Sequence, residues 1–189
     1  MLTNMRYAEI YKFDISNGSG IRVSLFVQGC NKHCPGCFNP ESWDFNLGKE
    51  FTKETVSEII RLAENEWVSG LSILGGEPLH PNNIKYVAQL CADFKKNYPE
   101  KTIWIWTGYT WEELGERYMN GSRSDKIEIA YLLYGDVVVG RNPVCDVLID
   151  GPFIEAQKDL SLPWRGSSNQ RIWMKNEKGE WYDASNNFR

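Results

Sequence analysis

Three cysteines in one short segment are the residues of this chain best suited to bind a metal cluster. Cys30, Cys34 and Cys37 lie in the run GCNKHCPGCF, with the spacing C-x3-C-x2-C; we call Gly29 to Phe38 the cysteine loop. Iron–sulfur cubanes are held by cysteine thiolates, and a [4Fe-4S] cluster has four irons to ligate. Three thiolates leave one iron open, and an open iron can bind and activate a small molecule. The spacing therefore predicts a cluster with one reactive iron.

A structural zinc site is the alternative interpretation, with His33 or His80 as the fourth ligand. Structural zinc sites usually combine paired C-x2-4-C or H-x3-5-H knuckles from two separated segments. Only Cys34 and Cys37 form such a knuckle here, no second pair follows, and His33 lies between two of the cysteines. The pattern therefore favours the cluster.

Length and composition indicate one folded domain that can bury a core, since the 189 residues are 42% hydrophobic and 13% aromatic. A net charge of −4 offers no basic surface to nucleic acid. The N-terminal residues lack the apolar segment of a signal peptide, and no apolar run approaches the ~20 residues that span a bilayer. Five cysteines, three of them clustered, do not suggest a disulfide framework. Because cluster thiols must stay reduced, we expect a cytoplasmic protein. The net charge and the lack of a long apolar run predict neither nucleic-acid nor membrane partners.

Hydrophobic periodicity predicts strands that alternate with helices. Strands are predicted at Ile21–Gln28, Leu71–Leu74, Lys101–Thr107, Val137–Val139 and Asp146–Ile149. Four helices are predicted, over Val56–Trp67, Pro81–Phe94, Thr110–Tyr118 and Ile127–Tyr134. Thr110 and Glu113 have the spacing of a capping box at the start of the third helix. A terminal hairpin is predicted from Arg171–Lys175, a turn at Gly179 and Glu180–Tyr182.

This alternation predicts an α/β fold with a mainly parallel sheet, in which ligands collect at the carboxyl ends of the strands. The cysteine loop follows the Ile21–Gln28 strand, and the GGEP turn, Gly75 to Pro78, follows the Leu71–Leu74 strand. We therefore expect both at one edge of the sheet. A complete eightfold barrel takes ~250 residues, so the expected architecture is a partial, open βα barrel with a C-terminal hairpin.

The GGEP turn has two interpretations. Its glycines permit a tight strand-to-helix turn, and Pro78 fixes the exit. Beside an open cluster, the same glycines would let backbone carbonyls approach a ligand closely. Those carbonyls, or the Glu77 carboxylate, could accept hydrogen bonds from an ammonium group.

Four other residues have side chains that could take part in chemistry, but they are assigned mainly structural roles. Cys91 shares the apolar face of its predicted helix and is expected in the core. Cys145 begins a short strand, and a structural role is favoured there over a second redox role. His80 is expected to cap or pack the start of a helix. Trp43, soon after the cysteine loop, is expected to shield that loop from solvent.

Several segments resemble the radical S-adenosylmethionine (SAM) enzymes and, among these, the activating proteins of anaerobic ribonucleoside-triphosphate reductase. They are Asn17 to Gly20, IRVSLFVQGC from Ile21, CPGCFNPESW from Cys34 to Trp43, LSILGGEPLHP from Leu71 to Pro81, VLIDGPF from Val147 to Phe153, and LPWRGSSNQR from Leu162 to Arg171. The stretch from Tyr118 to Val144 resembles the family least.

The resemblance implies a radical SAM oxidoreductase that forms a single domain over residues 1–189. Cys30, Cys34 and Cys37 would hold the [4Fe-4S] cluster. SAM would bind the open iron near Gly36, Cys37, Phe38, Gly75, Gly76 and Glu77. One electron from a low-potential donor would cleave SAM to methionine and a 5′-deoxyadenosyl radical. That radical would abstract hydrogen from the Cα of a glycine in the reductase large subunit, whose glycine loop could enter at the open side of the sheet.

Two other functions fit parts of the pattern. The deazaguanine synthase of queuosine biosynthesis is also a small radical SAM enzyme with a GGEP turn, but its family would have C-D-T where this chain has Cys37-Phe38-Asn39. A cluster- or zinc-containing module for electron transfer or interaction is the non-catalytic alternative. Formation of 5′-deoxyadenosine from SAM would separate that module from an enzyme.

Overall fold

One mixed sheet organises the chain, for which the computed structural model describes residues 5–135 and 142–188. Its strands are β1 (Arg6–Asp14), β2 (Ile21–Val27), β3 (Lys49–Glu50), β4 (Val68–Gly75), β5 (Thr102–Trp106), β6 (Val147–Asp150), β7 (Arg171–Lys175) and β8 (Trp181–Asp183). They lie in the order β3-β1-β2-β4-β5-β6-β7-β8. The described residues therefore form an α/β fold, as the alternation of patterns predicted.

The four central strands run parallel, and the strands that pair with them on either side, β1 and β7, run antiparallel to them. β2 pairs with β4, β4 with β5 and β5 with β6, all in parallel register. β1 and β3 extend one side, and the β7–β8 hairpin predicted from the sequence extends the other. Because β2, β4, β5 and β6 share one direction, the loops that follow them meet at a single edge of the sheet.

Helices connect the parallel strands. They are α1 (Lys53–Leu62), α2 (Ile84–Asn97), α3 (Trp111–Asn120) and α4 (Arg123–Ile129), which a π-helical turn extends over Ala130–Tyr134. The predicted capping box of α3 is confirmed, since the Thr110 hydroxyl accepts from Glu113 N and the Glu113 carboxylate accepts from Thr110 N. Gly135, at a φ of +73°, ends the last turn. None of the described helices is long and apolar enough to cross a bilayer.

The sequence did not predict the strands at the β1 edge. The predicted first core strand, Ile21–Gln28, is observed as β2, but it is preceded by β1, whose charged and apolar residues form no continuous apolar run. β1 is held by antiparallel pairing with β2 and with the two-residue β3. The predicted strand at Val137–Val139 lies outside the described residues.

The predicted extent of the first helix was wrong at its end. Helix α1 stops at Leu62, and Trp67, expected on its buried face, is 68% exposed. The Asn65 side chain accepts a hydrogen bond from Trp67 N at 2.9 Å and so forms a turn. This turn lets buried Val68 begin β4, and the indole is left in solvent.

The two faces of the sheet differ chemically because strand side chains alternate between them. One face packs in the main core with residues of the helices, and its fully buried aliphatic side chains include Val23, Leu25, Val27, Leu71, Ile73, Ile103 and Ile105. The opposite face, which we call the inner face, carries Arg22, Ser24, Ser72, Thr102 and Trp104. The helices therefore cover an apolar face, and the inner face is polar and aromatic.

Arg22 ties three parallel strands together across the inner face. Its side chain is fully buried, and its guanidinium donates five hydrogen bonds of 2.7–3.2 Å. The acceptors belong to Ser19, Leu71, Ser72 and Thr102. Burial lowers the pKa of Arg22 to about 10, which still leaves it protonated at neutral pH. A buried charge of this kind is tolerated because all its N–H donors are used.

We predict that Arg22→Met lowers the free energy of unfolding by about 2–4 kcal/mol, because the buried oxygens of β4 and β5 lose their charged donor. Arg61→Met, at an exposed position of α1, should change it by less than about 0.5 kcal/mol. Urea denaturation followed by tryptophan fluorescence would measure both. Equal, small effects would show that Arg22 does not cross-link the strands.

Candidate functional site

A cavity of about 420 Å³ lies at the edge where the parallel strands end. The loops after β2, β4, β5 and β6 all contribute to its wall. Cys30, Cys34 and Cys37 line it, together with Phe38, Gly75, Gly76 and Glu77. The structure thus brings together two segments that are about 40 residues apart in the chain.

Gly36 is the one predicted cofactor-binding residue that does not line this cavity. It is exposed and has a φ of +70°. A Cβ at this position would lie 3.0 Å from the Glu155 carboxyl group and 3.2 Å from the Phe153 ring. Glycine here lets the segment after β6 pack directly on the cysteine loop.

The cysteine loop takes its conformation from backbone hydrogen bonds to the segment that follows it. Gly29 N donates to Ser42 O at 2.7 Å, and Cys30 N donates to Trp43 O at 3.0 Å. Gly29 has a φ of +93°, and a Cβ there would overlap the Phe45 ring. The loop therefore has a defined shape although it contains no helix or strand.

The three cysteines of this loop are free thiols in half-buried positions. Burial is the largest influence on the Cys30 thiol and raises its pKa. Metal binding at Cys30 would therefore have to displace a proton. Within residues 5–135 and 142–188, no three His, Cys, Asp or Glu side chains are grouped closely enough for a single metal ion.

The two glycines of the GGEP turn allow it to contact the cysteine loop. Gly75 has a φ of +103°, which a side chain would strain. A Cβ on Gly76 would lie 2.7 Å from the carbonyl oxygen of Gly29. Gly76 N donates to Val27 O and Glu77 N donates to Gly29 O, both at 2.8 Å. The two glycines thus allow the close contact between the two loops and also line the cavity.

Glu77 braces the loops after β4 and β5. Its buried carboxylate accepts from Leu79 N at 2.9 Å, from the Thr107 hydroxyl at 2.7 Å and from Gly108 N at 2.7 Å. Burial raises the pKa of Glu77, and these hydrogen bonds oppose the shift. Because three donors already occupy the carboxylate, its main contribution to the cavity is to hold the wall in place.

Asn83 is a site residue that the sequence analysis missed. It precedes α2, where an asparagine usually caps the helix, but its side chain makes no capping bond. Instead the buried amide donates to Gln28 O and to Glu77 O, both at 3.0 Å. Asn83 therefore cross-links the end of β2 to the GGEP turn, and no local sequence pattern indicates this role.

The two histidines considered as zinc ligands, His33 and His80, each pack against an aromatic ring. His33 is exposed, and its ring lies 4.7 Å from the Trp43 ring. His80 packs on Phe45 at 4.5 Å, and its Nδ1 accepts from Asn82 N at 3.1 Å. The prediction that His80 packs near the start of a helix is confirmed.

Cys91 is fully buried in the main core, as predicted, and Cys145, for which only a structural role was favoured, is fully buried there too. The Cys145 thiol donates to Val147 O at 3.2 Å. Burial raises the pKa of both thiols, so neither is a reactive thiolate at neutral pH.

The C-terminal segment covers part of the cavity. Gln170 accepts from Gly166 N at 2.8 Å and donates to Gly151 O at 3.0 Å, which fixes the segment to the end of β6. A Cβ on Gly166 would lie 2.6 Å from the Phe38 ring. Trp164 lines the cavity with a φ of +58°, a strained conformation for a tryptophan. The motif Leu162 to Arg171 therefore contributes to the site as well as to the sheet.

Comparison with known proteins gives a consistent set of similarities. The family model described as "4Fe-4S single cluster domain" matches residues 16–173. The anaerobic ribonucleoside-triphosphate reductase-activating protein of Vibrio cholerae is 40% identical over 170 residues, covering 89% of this chain and 97% of the relative. The protein of that name from Escherichia coli K12 is 38% identical with the same coverage. The one from Enterobacteria phage T4 is 37% identical over 177 residues, or 94% and 98% of the two chains.

We predict that Asn83→Ala lowers the free energy of unfolding by about 1–3 kcal/mol, because two buried carbonyls lose their donor and no capping bond is lost. Asn82→Ala is the matched control, since Asn82 is exposed. Urea denaturation would measure the difference. If the two variants are equally stable, the amide of Asn83 does not hold the loops together.

A second prediction concerns metal loading. Anaerobically reconstituted protein should contain about four irons and four sulfides per chain, and Cys34→Ala should lose most of them, because three thiolates are needed to hold the cluster. Cys91→Ala should keep its iron, since Cys91 lies in the core. Iron and sulfide assays give the result. Full iron in Cys34→Ala, or stoichiometric zinc in the wild type, would contradict the ligand assignment.

Proposed function

The chain belongs to the family of anaerobic ribonucleoside-triphosphate reductase-activating proteins, and on that premise we propose that it generates a glycyl radical on the large subunit of this reductase. It would thus be an oxidoreductase of the radical SAM type. The observation that carries the proposal is the meeting of three free thiols and the GGEP turn around one cavity.

The cavity fits a [4Fe-4S] cluster by the chemistry of its donors. Cys30, Cys34 and Cys37 offer three thiols and no fourth, which would leave one iron open for SAM. The match to a 4Fe-4S domain over residues 16–173 supports the cluster. When bound, the cluster and SAM would supply a one-electron reductive cleavage of SAM that leads to hydrogen abstraction from a glycine.

We propose that the chain's own residues bind and orient SAM beside the open iron. Cys37, Phe38, Gly75 and Gly76 would contact it directly, because they line the cavity. Glu77 would act by keeping the turn rigid, since its carboxylate already accepts three hydrogen bonds. Gly36 would contribute through the shape of the loop. No general acid or base is required for this chemistry, because the cofactors supply the reactivity.

We also propose that residues 1–189 form a single radical SAM domain with a partial, open barrel. One sheet that includes strands from β1 to β8 supports this proposal. The reductase's glycine loop would enter beside Phe38 and Leu160, whose side chains are exposed and which line the cavity. A low-potential electron donor would reduce the cluster, and we expect the reaction to occur in the cytoplasm, where thiols stay reduced.

The test is to mix the reconstituted protein anaerobically with its cognate reductase, SAM and a strong one-electron reductant. Electron paramagnetic resonance should show an organic doublet on the reductase chain. The doublet should disappear when the radical-site glycine of the reductase is replaced by alanine, and also when Cys34→Ala replaces the wild-type activator.

Other outcomes would overturn the proposal. SAM cleavage without a protein radical would favour a radical SAM enzyme that acts on a small molecule. A loaded cluster with neither SAM cleavage nor a radical would favour an electron-transfer or interaction module.

A further inference from the structure

The indole N–H of Trp43 is a buried donor that finds no acceptor in the described part of the chain. Its Nε1 atom is inaccessible to solvent, and no described residue accepts a hydrogen bond from it. Buried polar groups are nearly always hydrogen-bonded, because an unsatisfied donor loses its bonds to water without compensation. Trp43 also lines the cavity that contains the three thiols. The missing acceptor is therefore to be sought in the ligand of that cavity.

The position of Trp43 is coupled directly to the cysteine loop. The backbone carbonyl of Trp43 accepts from Cys30 N at 3.0 Å, and the backbone N–H of Trp43 donates to Pro40 O at 3.2 Å. Its ring lies 4.7 Å from the His33 ring, at an angle of 37°. The residue is thus held from both its backbone and its ring, and the donor is kept in place before a ligand arrives.

We propose that the Trp43 indole N–H donates a hydrogen bond to a sulfur of the cluster held by Cys30, Cys34 and Cys37. This inference rests on the proposed function, because the cluster supplies the acceptor. The reduced cluster carries one more negative charge, so an N–H···S bond stabilises it more than the oxidised cluster. Trp43 therefore raises the reduction potential and eases delivery of the electron, as a positioning residue outside the ligand set.

Shielding of the cluster from solvent is the simpler role for Trp43, and one substitution separates the two. Trp43→Phe keeps an aromatic ring against His33 and in the wall of the cavity but removes the N–H. The matched control is Trp173→Phe. Trp173 on β7 also has a buried Nε1 without an acceptor among the described residues, but it does not line the cavity.

The experiment measures the midpoint potential of the reconstituted cluster by a redox titration monitored by electron paramagnetic resonance, without SAM or reductase. Trp43→Phe should keep about four irons, and its reduction equilibrium should be about tenfold less favourable, which is about 59 mV lower for a one-electron couple. Trp173→Phe should titrate like the wild type. An unchanged potential in Trp43→Phe, with full iron, would overturn the hydrogen bond.

A second measurement does not depend on the folding of a variant. In the reduced wild type with ¹⁵N-labelled indoles, pulsed spectroscopy should detect one coupled indole nitrogen and a proton that exchanges in D2O. The signal should persist in Trp173→Phe. If this signal is absent from wild-type protein with a loaded cluster, the hydrogen bond from Trp43 is refuted and the proposed function is not. If the wild type fails to bind iron, the proposed function itself is refuted.

Discussion

The contact between the GGEP turn and the cysteine loop is the constraint on which the site depends. The Gly29 carbonyl accepts from Glu77 N, and the space beside it is too small for any side chain on Gly76. Asn83 binds the same two loops from the side of α2. Because these bonds are short and buried, the cysteines and the turn are held around one cavity by the polypeptide itself. A ligand that bridges the two loops would therefore find its site largely formed.

The two faces of the sheet contribute differently to the edge that carries the site. Aliphatic side chains on one face supply the apolar burial that stabilises the domain. The inner face instead uses directional bonds, above all those of Arg22, which fix β2, β4 and β5 relative to one another. The loops after these strands can then carry the thiols and glycines that line the cavity. This separation is typical of α/β enzymes, where a rigid core positions irregular loops.

Polar side chains at the site connect one loop to another. Glu77 joins the loop after β4 to the loop after β5, and Gln170 joins the C-terminal segment to the end of β6. Trp43 differs, because its donor has no acceptor among the described residues. On the inference above, the acceptor for Trp43 would come from the ligand of the cavity.

The sequence by itself determined the elements whose causes are local. The spacing of Cys30, Cys34 and Cys37 indicated a cluster site, and apolar runs and a capping box indicated the four central strands and helix α3. Only the tertiary structure decided that Asn83 reaches a carbonyl 55 residues away and that Glu77 is bonded on three sides. The physical reason is that periodicity and capping act within a few residues, whereas these bonds depend on how distant strands are placed together in the sheet.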